Sequence, residues 1–247
     1  MNNLSVVIIT KNEAHNIRAC LESVGWADEI IVVDSGSNDE TVAIAREFTP
    51  HVYHHDWPGF GAQKNRALDY ATGTWVLSLD ADERVTPELR AQLILAMERA
   101  GQDGYYLPRL SQFCGQFIRH SGWYPDYVLR LFKRERGRFS ADLVHESVIL
   151  QGRAGKLASP LLHYSYLTEA DVERKVEQYA SAAARQMFSK GKTATGADGP
   201  VRGVWAFFRT YCLRLGFLDG IAGFKIAGMN ARTTYLKYKK LKAMHSA

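Results

Sequence analysis

The chemistry-bearing residues of this chain stand at the ends of apolar runs. Asp80 ends WVLSLD and Asp82 follows two residues on, so in an extended turn both carboxylates can face one point. Paired carboxylates with open positions suit a hard divalent ion, Mg2+ or Mn2+, which would also bridge phosphate oxygens of a ligand. The competing reading makes Asp80–Glu83 an acidic cap for a helix expected from Thr86. Asp34 ends EIIVVD and leads into Ser35, Gly36, Ser37, Asn38 and Asp39, a tight polar loop at a helix start. Such a loop can hold a base and ribose through acceptors and backbone groups. Gln63-Lys64-Asn65-Arg66 opens a further helix, whose cations can face phosphates near its positive end. For Lys64 and Arg66 taken singly, a solvated helix face competes with that role.

The elements that must position these residues alternate regularly. Continuous apolar, β-branched runs of the kind buried in a parallel sheet occur at 4–10, 29–36 and 75–80, with a shorter strand at 51–56. Helical spacing intervenes at 13–24, 39–48 and 63–71, and a helix over 86–100 has Pro87 in its first turn. Strand-helix alternation predicts an α/β fold: a mostly parallel sheet flanked by helices, with right-handed crossovers. Open sheets of this kind bind ligands outside the carboxyl ends of their strands, where Thr10–Glu13, Asp34–Ser37 and Asp80–Glu83 all fall. After Gly101 the pattern changes to short strands at 104–110, 127–134 and 143–150, then a long helix over 168–190 with Thr168 and Asp171 as a capping box. The expected organisation is a catalytic domain over 1–190, divided near residue 100, a small-residue linker over 191–200, and a helical C-terminal extension over 201–247.

Composition sets outer bounds. At 247 residues and 46% hydrophobic content, the chain can bury a sizeable core. Three cysteines without metal-ligand spacing indicate neither a disulfide framework nor a zinc site. No signal peptide or spanning apolar run is read, so the expected location is the cytoplasm, with peripheral contact at the inner face of the plasma membrane. From Pro200 onward nine Lys and Arg accompany one acid, Asp219, whereas acids outnumber Lys and Arg before it. With Val204, Trp205, Phe208, Tyr211, Leu215 and Leu218 on one helical face, this tail suits an anionic membrane surface, each nearby base contributing ~1 kcal/mol. A helix packed on the catalytic domain is the other reading, because Gly216, Gly220, Gly223 and Gly228 permit close approach. Nucleic acid is not expected, since no motif or aromatic platform accompanies the charge.

VVIITKNE, IIVVDSGSNDET and AQKNRALDYATGTWVLSLDADE resemble, in order and spacing, glycosyltransferase family 2. The resemblance implies the GT-A fold and transfer of a sugar from a nucleotide-sugar donor with inversion. It also implies that Thr10, Asn12, Glu13 and Asp34 line the nucleoside pocket, with Lys64 near the donor and Asp80 and Asp82 on the metal and diphosphate. WYPDYVLRLFKRERGRF, DLVHES and the C-terminal YCLRLGFLDG onward look like the bacterial branch containing lipopolysaccharide core β-1,4-glucosyltransferases, which add glucose to an inner-core heptose. The donor implied is UDP-glucose and the acceptor a lipid-linked saccharide.

A single-displacement mechanism needs a base for the acceptor hydroxyl. Glu146 in LVHES is favoured, with Asp142 and Asp126 as alternatives, and the neighbouring His145 could complete the metal shell. Trp123, Tyr124 and Arg130 are the expected acceptor contacts, since aromatic faces stack on sugars and Arg forks onto anions; core packing competes for both aromatics. Other readings are a family member acting on a polyprenyl phosphate or peptide, and a non-catalytic membrane module. A sugar-phosphate nucleotidyltransferase is disfavoured by TKNEAHN after the first strand, and a dinucleotide enzyme by the lack of G-x-G-x-x-G there.

Overall fold

The computed structural model describes residues 3–99, 101–140, 147–166 and 168–246. Its contacts divide the chain into two units, Met1–Arg109 with Asp126–His163, and Leu110–Pro125 with Tyr164–Ala247. Residues 110–125 and the long helix, expected in the catalytic domain, therefore group with the C-terminal helices.

In the first unit, β1 (Leu4–Thr10), β2 (Glu29–Asp34), β3 (Val52–His54) and β4 (Trp75–Asp80) run parallel in the order β3-β2-β1-β4. Between them lie α1 (Ala14–Val24), α2 (Thr41–Arg46) and α3 (Phe60–Tyr70). The apolar runs are continuous because both sheet faces are covered. Val6 and Ile8 face the side packed by Ile17, Cys20 and Leu21 of α1. Val7 and Ile9 face the side packed by Ala67 and Leu68 of α3. Beyond β4 the sheet turns mixed: β8 (Asp126–Lys133) pairs antiparallel with β4 and with β6 (Gly104–Phe113).

The Asp80–Glu83 stretch does not cap a helix. Thr86 does, accepting from the Leu89 amide at 3.1 Å at the start of α4 (Pro87–Glu98). Residues Glu83–Val85 instead form a short strand, β5, which pairs antiparallel with β12 (Leu161–Tyr166) in the register His163 opposite Glu83. Smaller strands are β7 (Gln116–Phe117), β9 (Gly137–Phe139), β10 (Val148–Leu150) and β11 (Ala154–Lys156).

In the second unit, α5 (Glu169–Ser189) carries the expected Thr168/Asp171 capping box. The expected linker is partly helical, because α6 (Asp198–Phe208) starts inside it, after Asp198 has accepted from Thr195. A π turn (Arg209–Leu213) and a 3-10 turn (Gly216–Asp219) then lead to α7 (Gly220–Ser246). Gly216 and Gly223 approach each other within the C-terminal region itself: a Cβ on Gly223 would lie 1.8 Å from the Gly216 carbonyl oxygen. Gly220 and Gly228 have open space instead. Among the described residues, no helix is long and apolar enough to cross a membrane.

Candidate active site

Strand register builds the site. Thr10 stands opposite Asp34 and Ile9 opposite Asp80, so β1, β2 and β4 end together on one sheet edge, beside the point where strand order reverses. The loops after β1 and β2 are then clamped to each other. The Asn12 amide donates to Ser37 Oγ at 2.8 Å and the Asn38 amide to Asn12 Oδ1 at 2.8 Å. The Glu13 amide donates to Thr41 Oγ1 at 2.8 Å. Asn12 holds φ 56°, a left-handed value that Asn tolerates better than most residues.

Asp34 is buried and turns its carboxylate onto its own loop, accepting from the amides of Gly36 and Ser37 at 2.8 and 2.9 Å. Gln63 of α3 ties in through Ser35 Oγ at 2.9 Å. Thr10 is buried as well, and its hydroxyl oxygen has no hydrogen-bond partner among the described residues. This edge is thus a preformed polar cradle with an acceptor and donor still to be used. His54 is exposed, 3.6 Å from Asp34, whereas His55 is held by the Tyr70 hydroxyl at 2.9 Å.

The acids after β4 are compensated by cations from two other elements. Lys64 Nζ lies 3.0 Å from Asp80 Oδ1, and Arg130 Nη2 lies 2.5 Å from Asp80 Oδ2 and 2.6 Å from Glu83 Oε1. Glu83 also accepts from the Asp80 amide at 3.0 Å. Burial alone would raise the Asp80 carboxyl, but the Arg130 and Lys64 charges outweigh it and hold it far below the usual carboxylate range. The same Asp80 and Glu83 charges overcome the burial of Arg130 and hold its guanidinium above its ordinary value.

Lys64 is therefore no solvated helix residue; it is buried beside Asp80, with its ammonium over the Phe139 ring at 5.7 Å. Arg66 points elsewhere, to Asp56 at 2.7 Å. Arg130, an expected acceptor contact, lies beside Asp80 and Glu83. Its guanidinium is buried between the two carboxylates, so it supports the acidic turn.

Asp82 has a partner that the sequence reading did not name. His163 Nε2 of β12 lies 3.3 Å from Asp82 Oδ2, brought there by the β5–β12 register. Burial lifts the Glu13 carboxyl above its usual range; the Asn16 amide pulls it back, and the nearby Asp82 charge lifts it again. Among the described residues no three His, Cys, Asp or Glu side chains converge on a point. A divalent ion of the kind the resemblance implies would find one carboxylate and one imidazole in Asp82 and His163, while both oxygens of Asp80 are engaged by cations. Two protein ligands fit an ion that fills the rest of its shell with water and phosphate oxygens. When bound, such an ion supplies positive charge to a leaving diphosphate.

Asp142, His145 and Glu146 lie outside the described residues. Of the residues on either side of them, the Ser140 amide donates to the Ser147 carbonyl at 2.9 Å. Phe139, just before Ser140, exchanges two 2.9 Å hydrogen bonds with Asn65, the neighbour of Lys64. Asp126 is held by Arg109 at 2.7 Å. In the second unit, Trp123 packs into a cluster with Phe113, Ile118 and Tyr166, and the Tyr124 ring faces the Arg119 guanidinium at 6.0 Å. Core packing thus claims most of Trp123.

Comparison with known proteins bears on the whole arrangement. An uncharacterized glycosyltransferase of Rickettsia felis is 29% identical over 98% of this chain and 90% of its own length. The lipopolysaccharide core biosynthesis glycosyltransferase LpsC of Rhizobium meliloti is 28% identical over 95% of this chain and 93% of its own. Among solved structures, S. aureus TarS is 16% identical and superposes with a TM-score of 0.49, covering 99% of this chain and 91% of that one. The model of Glycosyl transferase family 2 matches residues 5–149, which takes in every element that ends at the acidic sheet edge. With its α/β fold of GT-A type and its cradle of loops at that edge, the chain belongs to glycosyltransferase family 2.

Proposed function

We propose that this glycosyltransferase moves a hexose, glucose from UDP-glucose foremost, onto a hydroxyl of a lipopolysaccharide inner-core heptose, in the cytoplasm at the inner membrane face. The observation that carries the donor half is the registered edge, where the Asp34 loop, Thr10, Lys64 and the Asp80–Asp82 turn share one locus. Thr10, Asn12, Glu13 and Asp34 would hold the nucleoside. Lys64 would meet the diphosphate, and Asp82 with His163 would hold Mg2+ or Mn2+ there. The acceptor half is supported by the Rhizobium meliloti relative, whose name is that of a lipopolysaccharide core enzyme.

In this reading the acceptor oxygen attacks the anomeric carbon as Glu146 takes its proton, and the bond to UDP breaks with inversion. Asp142 is the alternative base and His145 a further ligand candidate. Phe139, before these residues in sequence, is pinned to Asn65 on the helix that carries Lys64. Lys64 neutralises developing charge on the departing diphosphate. Trp123 and Tyr124 remain candidate acceptor contacts.

The test is a thermal-shift panel of nucleotide sugars with and without Mn2+, on wild type and Asp82→Ala. A metal-dependent shift with UDP-glucose that the variant loses supports the donor reading. Folded protein that responds to no nucleotide sugar overturns it. Incubation with UDP-glucose and heptose-terminated lipopolysaccharide then tests the acceptor, since a β-anomeric product from an α-linked donor is the signature of inversion.

A further inference from the structure

The C-terminal region of the second unit has an unusual division of residues. On α6 the small side packs inward: a Cβ on Gly199 would meet Tyr235, and one on Gly203 the Ala231 carbonyl at 3.2 Å. Ala206 and Thr210 are buried, Thr210 accepting from Asn230 at 3.1 Å. The large apolar residues consequently face out. Val204, Trp205, Phe217, Leu218, Ile221 and Phe224 are 48–78% exposed. Ring contacts link the two sides of the junction, because Tyr211 contacts both Phe217 and Phe224, and Phe207 contacts Phe224; Val204, Trp205, Leu218 and Ile221 lie within three residues of these rings in sequence. Monomeric proteins rarely present such a patch without a use for it.

The charges sort differently from the simple picture of a basic tail. Lys225, Arg232 and Lys240 of α7 are paired with Glu169, Glu173 and Glu177, which stand four residues apart in the first half of α5. These cations hold the helices together. Arg209 and Arg214 are exposed within the apolar stretch and have no ion pair among the described residues. Burial, then the charges of Arg202, Arg209 and Lys192, pull Lys237 below its ordinary value, a mark of local positive potential. The one acid after Asp198, Asp219, is buried and accepts from the backbone of Arg119 and His120 and from Ser121 Oγ, so it offers no charge to the surface.

We propose that the junction of α6 and α7 is a membrane-insertion surface, which enters the headgroup–acyl boundary of an anionic bilayer chiefly through its apolar residues. A Trp and three Phe among aliphatic residues, with Arg at their margin and no exposed acid, match that interface in both polarity and charge. A second copy of the chain is the poorer occupant, because a symmetric contact would set Arg209 and Arg214 near their own counterparts with no acid to meet them. The inference stands on the second unit alone and does not depend on the donor chemistry.

Vesicle co-sedimentation of the full chain decides it, using phosphatidylcholine with and without phosphatidylglycerol at low and high salt. Wild type should bind anionic vesicles and retain part of that binding at high salt. The double variant Val204→Asp/Ile221→Asp should lose about 100-fold in partitioning, with unchanged circular dichroism and an unchanged UDP-glucose thermal shift. Arg209→Gln/Arg214→Gln should lose about tenfold, on anionic vesicles only. Three results overturn the proposal. Folded wild type could ignore every vesicle. Binding could vanish at high salt and be untouched in the Asp variant, which would mean adsorption by charge alone. The Asp variant could convert a dimer to a monomer while neither form binds lipid, which would make the patch an interface between copies.

Discussion

Replacing Arg130 with Met keeps the volume of a buried residue and removes the charge that two carboxylates share. Arg130 is 7% exposed, with Asp80 at 2.5 Å and Glu83 at 2.6 Å. Deleting one partner of a buried ionic cluster costs about 3–5 kcal/mol, because the remaining charge is left uncompensated. Two features place this site at the lower end of that range. Asp80 keeps Lys64 at 3.0 Å and 29% exposure of its side chain. Glu83, fully buried, keeps Arg109 at 3.7 Å. The expected loss is therefore about 3 kcal/mol, or about 6–12 °C in Tm at about 2–4 °C per kcal/mol.

The pH dependence gives a second reading of the same contact. Asp80 has a depressed folded pKa, so its contribution is full above the unfolded value of about 3.9 and disappears as pH falls through the folded one. Without Arg130 that depression shrinks. The stability gap between wild type and Arg130→Met should accordingly be widest above about pH 5 and narrow below about pH 4. Adding Glu83→Gln removes the stranded charge and should return about 1–2 kcal/mol. Urea denaturation across this pH range measures all three quantities. A gap under about 1 kcal/mol, or one that does not change with pH, would refute the assignment of Arg130 as the counterion of the acidic turn.

Three other outcomes follow from the packing and contacts of single residues. His163→Ala should weaken Mn2+ affinity in the presence of UDP by about tenfold or more while leaving metal-independent UDP binding nearly intact, as read by thermal shift. Gly223→Ala should destabilise by about 1–3 kcal/mol or fail to fold, because its Cβ would overlap the Gly216 carbonyl. Gly228→Ala, mid-helix with open space around it, should instead stabilise by about 0.5–1 kcal/mol in the same denaturation assay.

Much of the first unit was legible because its signals are local. Runs buried on both sheet faces cannot be mistaken for surface strands, and β1 and β4 begin and end where the apolar runs do. The parallel register then follows from the crossovers, which is why Thr10, Asp34 and Asp80 could be placed on one edge from sequence alone. His163 was not legible. It reaches Asp82 through an antiparallel pairing of β5 with β12, some eighty residues apart in sequence, and nothing in LLHYSY marks it. Arg130 carries a local signal of its pairing: an Arg within YVLRLF, on a strand otherwise apolar, requires a buried counterion. The charge pairing of the tail is hidden from the sequence for a related reason. A basic composition does not reveal that α5 supplies an acid to three of the α7 cations.

These particulars explain how one sheet edge tolerates so many acids. Parallel strands ending in register deliver Asp34 and Asp80 side by side, an arrangement that repels itself unless each acid has its own compensation. Here the compensations differ in kind. Asp34 is satisfied by the amides of its own loop, Asp80 and Glu83 by Lys64 and Arg130, and Asp82 by an imidazole that could share it with a cation. Of these acids, Asp82 is the one whose compensation can be exchanged for a ligand without exposing a buried charge. The same ordering makes Asp82→Ala nearly neutral for folding, within about 1 kcal/mol, yet damaging to metal-dependent donor binding, whereas Asp80→Ala would leave Arg130 to Glu83, remove the Asp80 contact of Lys64, and injure both. Parallel denaturation and donor-titration curves for the two variants separate these outcomes. Equal losses of stability would show that Asp82, too, is part of the structural network, and that the site lacks a carboxylate reserved for the metal.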